Sequence, residues 1–281
     1  MTVSPHSFGV VGLGQMAQAL LEPWIEDQLV SPERLEAVVA SEASCLRWQQ
    51  ATLAGASLRV STDPARAWSA PVVLLAVKPQ HLEAAARAAA AVDRGGAGPD
   101  PGGMLISVLA GVPIERLRRL FPSRACVRAV VNTPALVRQG LTALAWSPDA
   151  PVPSPAEREW LEQLFRRVGE VWVLPESQLD AFLALTASGP AFVAVMAEAL
   201  ADGAVAAGLP RPLAHHLAQR TLAGTAALLE GKGLHPGQLK DRVSSPAGTT
   251  MAGLRQLERS GLRSALLEAV LAAAERSREL A

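Results

Sequence analysis

Short apolar runs alternate with helix-forming stretches through the first 174 residues. The candidate strands are Phe8–Val11, Leu35–Ala40, Leu58–Val60, Val72–Val77, Leu105–Leu109, Cys126–Val130, Thr142–Trp146 and Val171–Leu174. Val72–Val77 is apolar without a break, the pattern of a strand covered on both faces of a parallel sheet. Helices fill the gaps. Ser31-Pro32-Glu33 reads as an N-cap with Pro at the first helical position, and Ser154-Pro155-Ala156-Glu157 repeats that signature with a capping-box Glu. The alternation predicts a doubly wound α/β sheet. Gly95–Gly103 reads as an exposed, mobile Gly/Pro loop.

The pattern changes at Glu176. No strand-like run follows. Ala191–Ala207, Leu213–Leu229 and Leu262–Leu280 are rich in Ala and Leu and weakly charged, with Gly208 and Pro210 between the first two. Helices apolar on so many sides cannot all be covered within one small domain, so a partner subunit is the natural cover. The chain is therefore expected to hold two domains: a sheet domain over residues 1–174 and an all-helical substrate-binding and dimerisation domain over 175–281.

Composition narrows the field. The chain has 281 residues, 49% of them apolar, and a formal net charge of zero. Neither nucleic acid nor an anionic membrane surface is suggested as a partner. No apolar run reaches about 18 residues, so no membrane span is expected. No signal peptide is visible. Cys45 and Cys126 stand far apart and form no CxxC, which fits small core residues in a reducing, cytoplasmic setting. His215 and His216 have no further metal-ligand cluster around them, so they read as surface or interface residues and no metal site is expected.

The chemistry gathers in six places. Phe8–Val11 leads into Gly12-Leu13-Gly14-Gln15-Met16-Ala17, the dinucleotide fingerprint in its strand–turn–helix setting. Gly12 permits the tight turn, Gly14 admits a pyrophosphate to the backbone, and Ala17 keeps helix close to strand, so the first domain is of Rossmann type. Lys78 ends the segment Ala76-Val77-Lys78-Pro79, at the carboxyl end of the apolar strand where such folds bind ligands. It is a candidate for cofactor binding or catalysis, against the plainer reading of a lysine reaching solvent. Asn132-Thr133-Pro134 follows the sixth strand in the same manner, against the alternative of a plain turn. After the second strand come Ser41, Glu42 and later Arg47. An acidic residue there suits the ribose hydroxyl of NADH, and Ser with Arg suits the 2′-phosphate of NADPH, so the signal is mixed and leans to NADPH. Ser188 reads as the N-cap of the long helix that begins Gly189-Pro190. Finally, Val243-Ser244-Ser245-Pro246-Ala247-Gly248-Thr249-Thr250 packs four hydroxyls, a Gly and a Pro into eight residues. It is either a helix cap or an anion site that uses the same free N–H groups.

Taken together these stretches resemble the pyrroline-5-carboxylate reductase family, over nearly the whole chain. Gly12–Leu20 is similar to its cofactor turn, Ala76–Gln80 to its AVKPQ segment and Arg128–Pro134 to its R-x-M-P-N-T-P segment. Leu183–Phe192 is similar to its TALSGSGPAY helix start, and Ser245–Thr250 to its SPGGTT loop. Val131 stands where that family has Pro, Ala187 and Ala247 where it has Gly, and Phe192 where it has Tyr. The two alanines add a methyl near the expected substrate loops, which could tighten the pocket or shift the loop dihedrals.

The resemblance implies reduction of a cyclic imino acid, 1-pyrroline-5-carboxylate, to L-proline by hydride from NADPH, with NADH possible. It implies cofactor contacts at Gly12–Ala17, Ser41, Ala76–Pro79 and Asn132, and substrate contacts at Ser188, Ser245, Gly248, Thr249 and Thr250. Thr250 and Lys78 are the catalytic candidates, and the enzyme is expected to be a homo-oligomer joined through the helical domain. Three other readings stand beside this one: an imine reductase for a different ring, a non-catalytic dinucleotide-binding paralogue, and a 3-hydroxyacid dehydrogenase. The last lacks a catalytic-looking Lys on a second-domain helix.

Overall fold

The computed structural model describes residues 7–94, 103–149 and 151–280. The loop expected over Gly95–Gly103 lies outside them except for Gly103. The chain forms two compact units, Met1–Ala187 with Ala273–Ala281, and Ser188–Ala272.

The first unit is built on eight strands: β1 (Phe8–Val11), β2 (Leu35–Val38), β3 (Arg59–Ser61), β4 (Val72–Leu75), β5 (Met104–Ser107), β6 (Ala125–Val131), β7 (Gly140–Trp146) and β8 (Gly169–Val173). They correspond to the eight apolar runs, with ends moved by up to two residues. They lie in the order β3-β2-β1-β4-β5-β6-β7-β8. Helices cover both faces. On one side α1 (Gln15–Glu26), α2 (Glu42–Gln49) and α6 (Pro155–Phe165) bury Leu20, Trp24, Trp48 and Phe165 against the sheet. On the other, α3 (Ala65–Trp68), α4 (Leu82–Arg94) and α5 (Ile114–Leu120) bury Trp68, Ala85, Ala89 and Leu117. This is the doubly wound arrangement. Gly9 is required because a Cβ there would lie 2.0 Å from the Ala67 carbonyl oxygen of α3.

Two details depart from the sequence reading. β7 runs antiparallel to β6, pairing Val131 with Thr142. Only Asn132–Gln139 separates these strands, and a parallel return needs a crossover of a dozen or more residues. Ser31 caps no helix: Pro32–Arg34 is one 3-10 turn that runs straight into β2, and the Ser31 side chain makes no capping bond. The second Ser-Pro signature behaves as expected. Ser154 Oγ accepts from Glu157 N, and Glu157 returns a carboxylate to Ser154 N at 2.7 Å.

Both cysteines are free and buried. Burial pushes the Cys126 thiol up to about 12, as expected of a small core side chain.

After β8, α7 (Leu179–Thr186) lies on β6 and β7, with Leu179 buried against Val130 and Ala143. The helical unit holds α8 (Gly189–Ala206), α9 (Arg211–Lys232), α10 (Pro236–Arg242) and α11 (Thr249–Arg259), and α12 (Leu262–Glu279) returns from it to the sheet unit. Among the described residues its buried apolar cluster is Ala201, Ala214 and Ala218, with Ala204 and Val205 half-buried against it. Val193, Val195, Leu200, Leu213, Leu217 and Leu267 stand exposed. The stretch Glu176–Ala206 is long and apolar enough to cross a membrane by length and composition, which the count of uninterrupted apolar residues had not shown. The stretch is two successive helices, and Asp180 within it is paired with a buried arginine.

That arginine, Arg128 on β6, is 3% exposed and meets Glu176 at 3.3 Å and Asp180 at 3.1 Å. Glu176 also accepts from Ile114 N at 2.7 Å, and Asp180 accepts from Ser277 Oγ on α12 at 2.8 Å. Removing one partner of a buried pair leaves the other without compensation. Arg128→Met is expected to lower stability by about 3 kcal/mol, read from urea unfolding at fixed protein concentration. An unchanged midpoint would mean the ion pairs contribute nothing.

Candidate active site

The sheet order reverses between β1 and β4, and a crevice opens at the carboxyl ends of those two strands. Two motifs more than sixty residues apart are joined there: Ala76 N donates to Val11 O at 2.9 Å, and Gly12 N to Val38 O at 2.9 Å. Gly12 has φ +94°, and a Cβ on it would sit 2.8 Å from the Ala76 carbonyl oxygen, so no other residue fits this junction. Ala17 is wholly buried, holding α1 against β1. Gln18 braces the turn by donating to Leu13 O at 2.9 Å.

The crevice is a cavity of about 600 Å³ whose rim includes Gly12, Leu13, Gly14, Ala76, Val77 and Lys78. Gly14 is exposed, and a Cβ there would meet nothing within 4 Å. The missing side chain thus leaves open space against the amino end of α1, where an anion is favoured. The residues present therefore fit the pyrophosphate of a dinucleotide. Lys78 is exposed at the N-terminal end of the 3-10 turn Pro79–His81.

Beyond the end of β2 the picture is finer than sequence showed. Ser41 spends its hydroxyl on capping α2, accepting from Ser44 N at 3.2 Å. Ser44, Arg47 and Thr62 line the cavity instead. Glu42 accepts from Thr62 Oγ1 at 2.6 Å. His81 joins the lining too, one 3-10 turn after Lys78. Ser44, Thr62 and His81 were missed in sequence. The first two belong to no motif, and only the spacing of His81 from Lys78 could have signalled it.

Asn132, expected as a cofactor contact at this strand end, is committed to the protein itself. It is buried, its amide donates to Thr186 O at 3.1 Å, and its oxygen accepts from Leu141 N at 2.7 Å. It fastens the end of β6 to β7 and α7, and it does not line the crevice. Gln15 and Met16 open α1 beside the crevice, the first exposed and the second half-buried.

In the helical unit Ser188 sits at the start of α8 and makes no capping bond, because its own backbone is already helical (φ −84°, ψ −29°). Ala187 has ordinary helical angles as well, so the residue that replaces Gly is unstrained there. The hydroxyl-rich loop ends at Gly248, the N-cap of α11, whose first residues are Thr249 and Thr250. The first N–H groups of such a helix lack intrahelical partners. A Cβ on Gly248 would lie 2.6 Å from Ser245 Oγ, and Gly248 N donates to Ser245 O at 3.0 Å. Among the described residues no group of His, Cys, Asp and Glu could hold a metal ion.

Residues 176–280 match the family model described as pyrroline-5-carboxylate reductase dimerisation, and residues 7–111 match one described as NADP oxidoreductase, coenzyme F420-dependent. A pyrroline-5-carboxylate reductase of Synechocystis is 43% identical over 274 residues, covering 97% of each chain. One from Methanosarcina acetivorans is 37% identical, covering 98% of each. Among solved structures, a pyrroline-5-carboxylate reductase from Coxiella burnetii superposes with TM-score 0.82 at 28% identity, covering 98% of both chains. A Plasmodium falciparum pyrroline carboxylate reductase with NADP bound superposes at 0.85 and 24% identity over 99% of both, which speaks to fold alone.

Gly14→Val fills open space without touching protein, so it is expected to leave the melting temperature within about 2 °C and to abolish cofactor binding. Fluorescence titration with NADPH checks this; native affinity in the variant would move the pyrophosphate elsewhere.

Proposed function

This chain belongs to the pyrroline-5-carboxylate reductase family, and from that premise we propose how its own residues divide the work. The enzyme reduces 1-pyrroline-5-carboxylate to L-proline with a nicotinamide dinucleotide, the last step of proline synthesis, and it is a homo-oligomer. When bound, the cofactor supplies hydride to the C=N carbon. The remaining assignments are proposals about this chain.

Gly12, Leu13, Gly14, Gln15, Met16 and Ala17 hold the pyrophosphate, and Ala76, Val77, Lys78 and Pro79 form the opposite wall. The observation that carries this reading is the open face of Gly14 in a crevice already shaped by Gly12 against Ala76. Lys78 adds a cation beside the phosphates. Asn132 acts indirectly, by fixing the loop after β6. NADPH is the preferred cofactor: Ser44 and Arg47 line the cavity beyond β2 next to Ser41, while the Glu42 carboxylate accepts from Thr62. A guanidinium favours a 2′-phosphate, and a carboxylate engaged elsewhere does less to repel one.

The substrate carboxylate is held by Ser245 Oγ and the free N–H groups of Thr249 and Thr250 at the start of α11, with Gly248 keeping the turn compact through its bond to Ser245 O and Ser188 as a further substrate contact. The Thr250 hydroxyl bonds the ring nitrogen. A hydroxyl is too weak an acid to protonate an imine unaided, so Thr250 orients a ring that arrives as the iminium ion or takes its proton through water. The functional division at 175 is supported by the span of the dimerisation match, 176–280. A cytoplasmic site of action is supported by two unpaired cysteines.

Thr250→Val preserves shape and removes the hydroxyl. Turnover should fall about a hundredfold, with NADPH affinity unchanged; equal turnover would take Thr250 out of the mechanism. Initial rates with NADPH and NADH test the cofactor preference. Arg47→Ala should erase about tenfold of it, and a preference untouched by that change would place the 2′-phosphate elsewhere.

A further inference from the structure

Ser245-Pro246-Ala247-Gly248 closes with a hydrogen bond from Gly248 N to Ser245 O at 3.0 Å. Pro246 occupies the second position, where its ring fixes φ near −65°. Ala247 occupies the third with φ +54°. A turn closed from first to fourth residue, with Pro second and a left-handed third residue, is of type II, and its third position favours Gly or Asn. Here it carries a Cβ. The loop dihedrals have therefore not shifted to suit the alanine; the alanine takes up a glycine's backbone. Non-glycine residues held this way persist where the surroundings over-determine them, and they gather at ligand clamps.

The unstrained alternative keeps the same closing hydrogen bond. In a type I turn the third residue moves to φ near −90°, and the peptide between the second and third residues turns over. That rotation exchanges the Ala247 N–H for the Pro246 carbonyl on a given face of the loop. The Ala247 N–H has no hydrogen-bond partner among the described residues. A face that shows an N–H attracts a carboxylate, and the same face showing a carbonyl repels it.

We propose that Ala247 is a positioning residue that sets substrate affinity: it holds the carboxylate-binding turn in strain, so that part of the population rests with the 246–247 peptide turned over and unable to bind the anion. The proposal rests on the reading that Ser245–Thr250 receives the substrate carboxylate. Apparent affinity is the intrinsic affinity reduced by the competent fraction, so easing the strain lowers KM and leaves the chemical step alone.

The experiment is a substitution series at this one position: Ala247→Gly, Ala247→Asn and Ala247→Val. Side-chain size and left-handed preference rank these residues differently, because Asn is larger than Ala yet tolerates the left-handed region better, and Val tolerates it least. KM for 1-pyrroline-5-carboxylate should fall up to about fivefold in the Gly variant. It should fall less in the Asn variant and rise in the Val variant, with kcat and the KM for NADPH unchanged throughout. A KM that tracks volume instead, with Asn worse than Ala, would overturn the proposal in favour of a crowded pocket. A change confined to melting temperature would also overturn it, reducing Ala247 to a structural role. Ser245→Ala is measured alongside. If that variant keeps its KM, the carboxylate assignment itself has failed; if it loses affinity while the Ala247 series follows volume, only the present inference has.

Discussion

One buried guanidinium ties the segment after β8 to the sheet. Arg128 is buried in β6, and its fork reaches Glu176 and Asp180 at the entry to the helices. Asp180 also receives Ser277 from the helix by which the chain returns. Taking this charge out of water is costly, and only good geometry offsets the cost. Arginine suits the task because its planar donors can serve two carboxylates at once. The consequence is positional more than energetic. Within the sheet unit, Glu176 and Asp180 are thereby fixed to β6, and Ser277 is fixed to Asp180. β6 carries a second tie four residues on, where Asn132 bonds both Thr186 and Leu141. Arg118 and Arg138 by contrast pair on the surface, where ion pairs add little.

The crevice follows from a different constraint, the reversal of strand order beside β1. Chains in such sheets must cross right-handed, so β1–β3 are laid down in one direction and β4–β6 in the other. Two loops are thereby left uncovered at the carboxyl ends of neighbouring strands. Gly12 and Ala76 then approach so closely that side-chain freedom at Gly12 is lost. Gly14 has the opposite reason to be glycine: nothing of the protein is near it. One fingerprint thus contains one glycine dictated by the fold and one that the fold does not require.

Those glycines show what sequence could and could not reveal. Strand positions, the two-sided apolar run of β4, the fingerprint and the Ser154 capping box were all legible, because each is a local pattern with a local cause. The antiparallel β7 was legible in principle, since eight residues between β6 and β7 allow no crossover. Ser31 was misleading: its Ser-Pro-Glu signature is satisfied by a single 3-10 turn, and only the nearness of β2 stops a helix from growing. The commitments of Glu42 and Asn132 could not be read at all. Thr62 lies 20 residues from Glu42, and Leu141 and Thr186 lie 9 and 54 residues from Asn132, and no motif encodes that choice. The departure at Ala247 was visible as a substitution, but its meaning lies in a dihedral angle.

The helical unit carries the last argument. Helices normally find their stability in an amphipathic face packed on a core, yet here that core is three alanines. Alanine buries little area and contributes correspondingly little, while valines and leucines of the same helices face outward. A chain so arranged gains its missing burial from a second copy, in keeping with the dimerisation family that residues 176–280 match. The alanines have a purpose in that setting, because small side chains let α8 and α9 approach closely and leave the large ones for the partner. Folding of the unit is then coupled to assembly, and its stability depends on protomer concentration. The loop that ends in Thr250 belongs to this unit. An apolar surface that would be a liability in a monomer thus becomes the means of assembly.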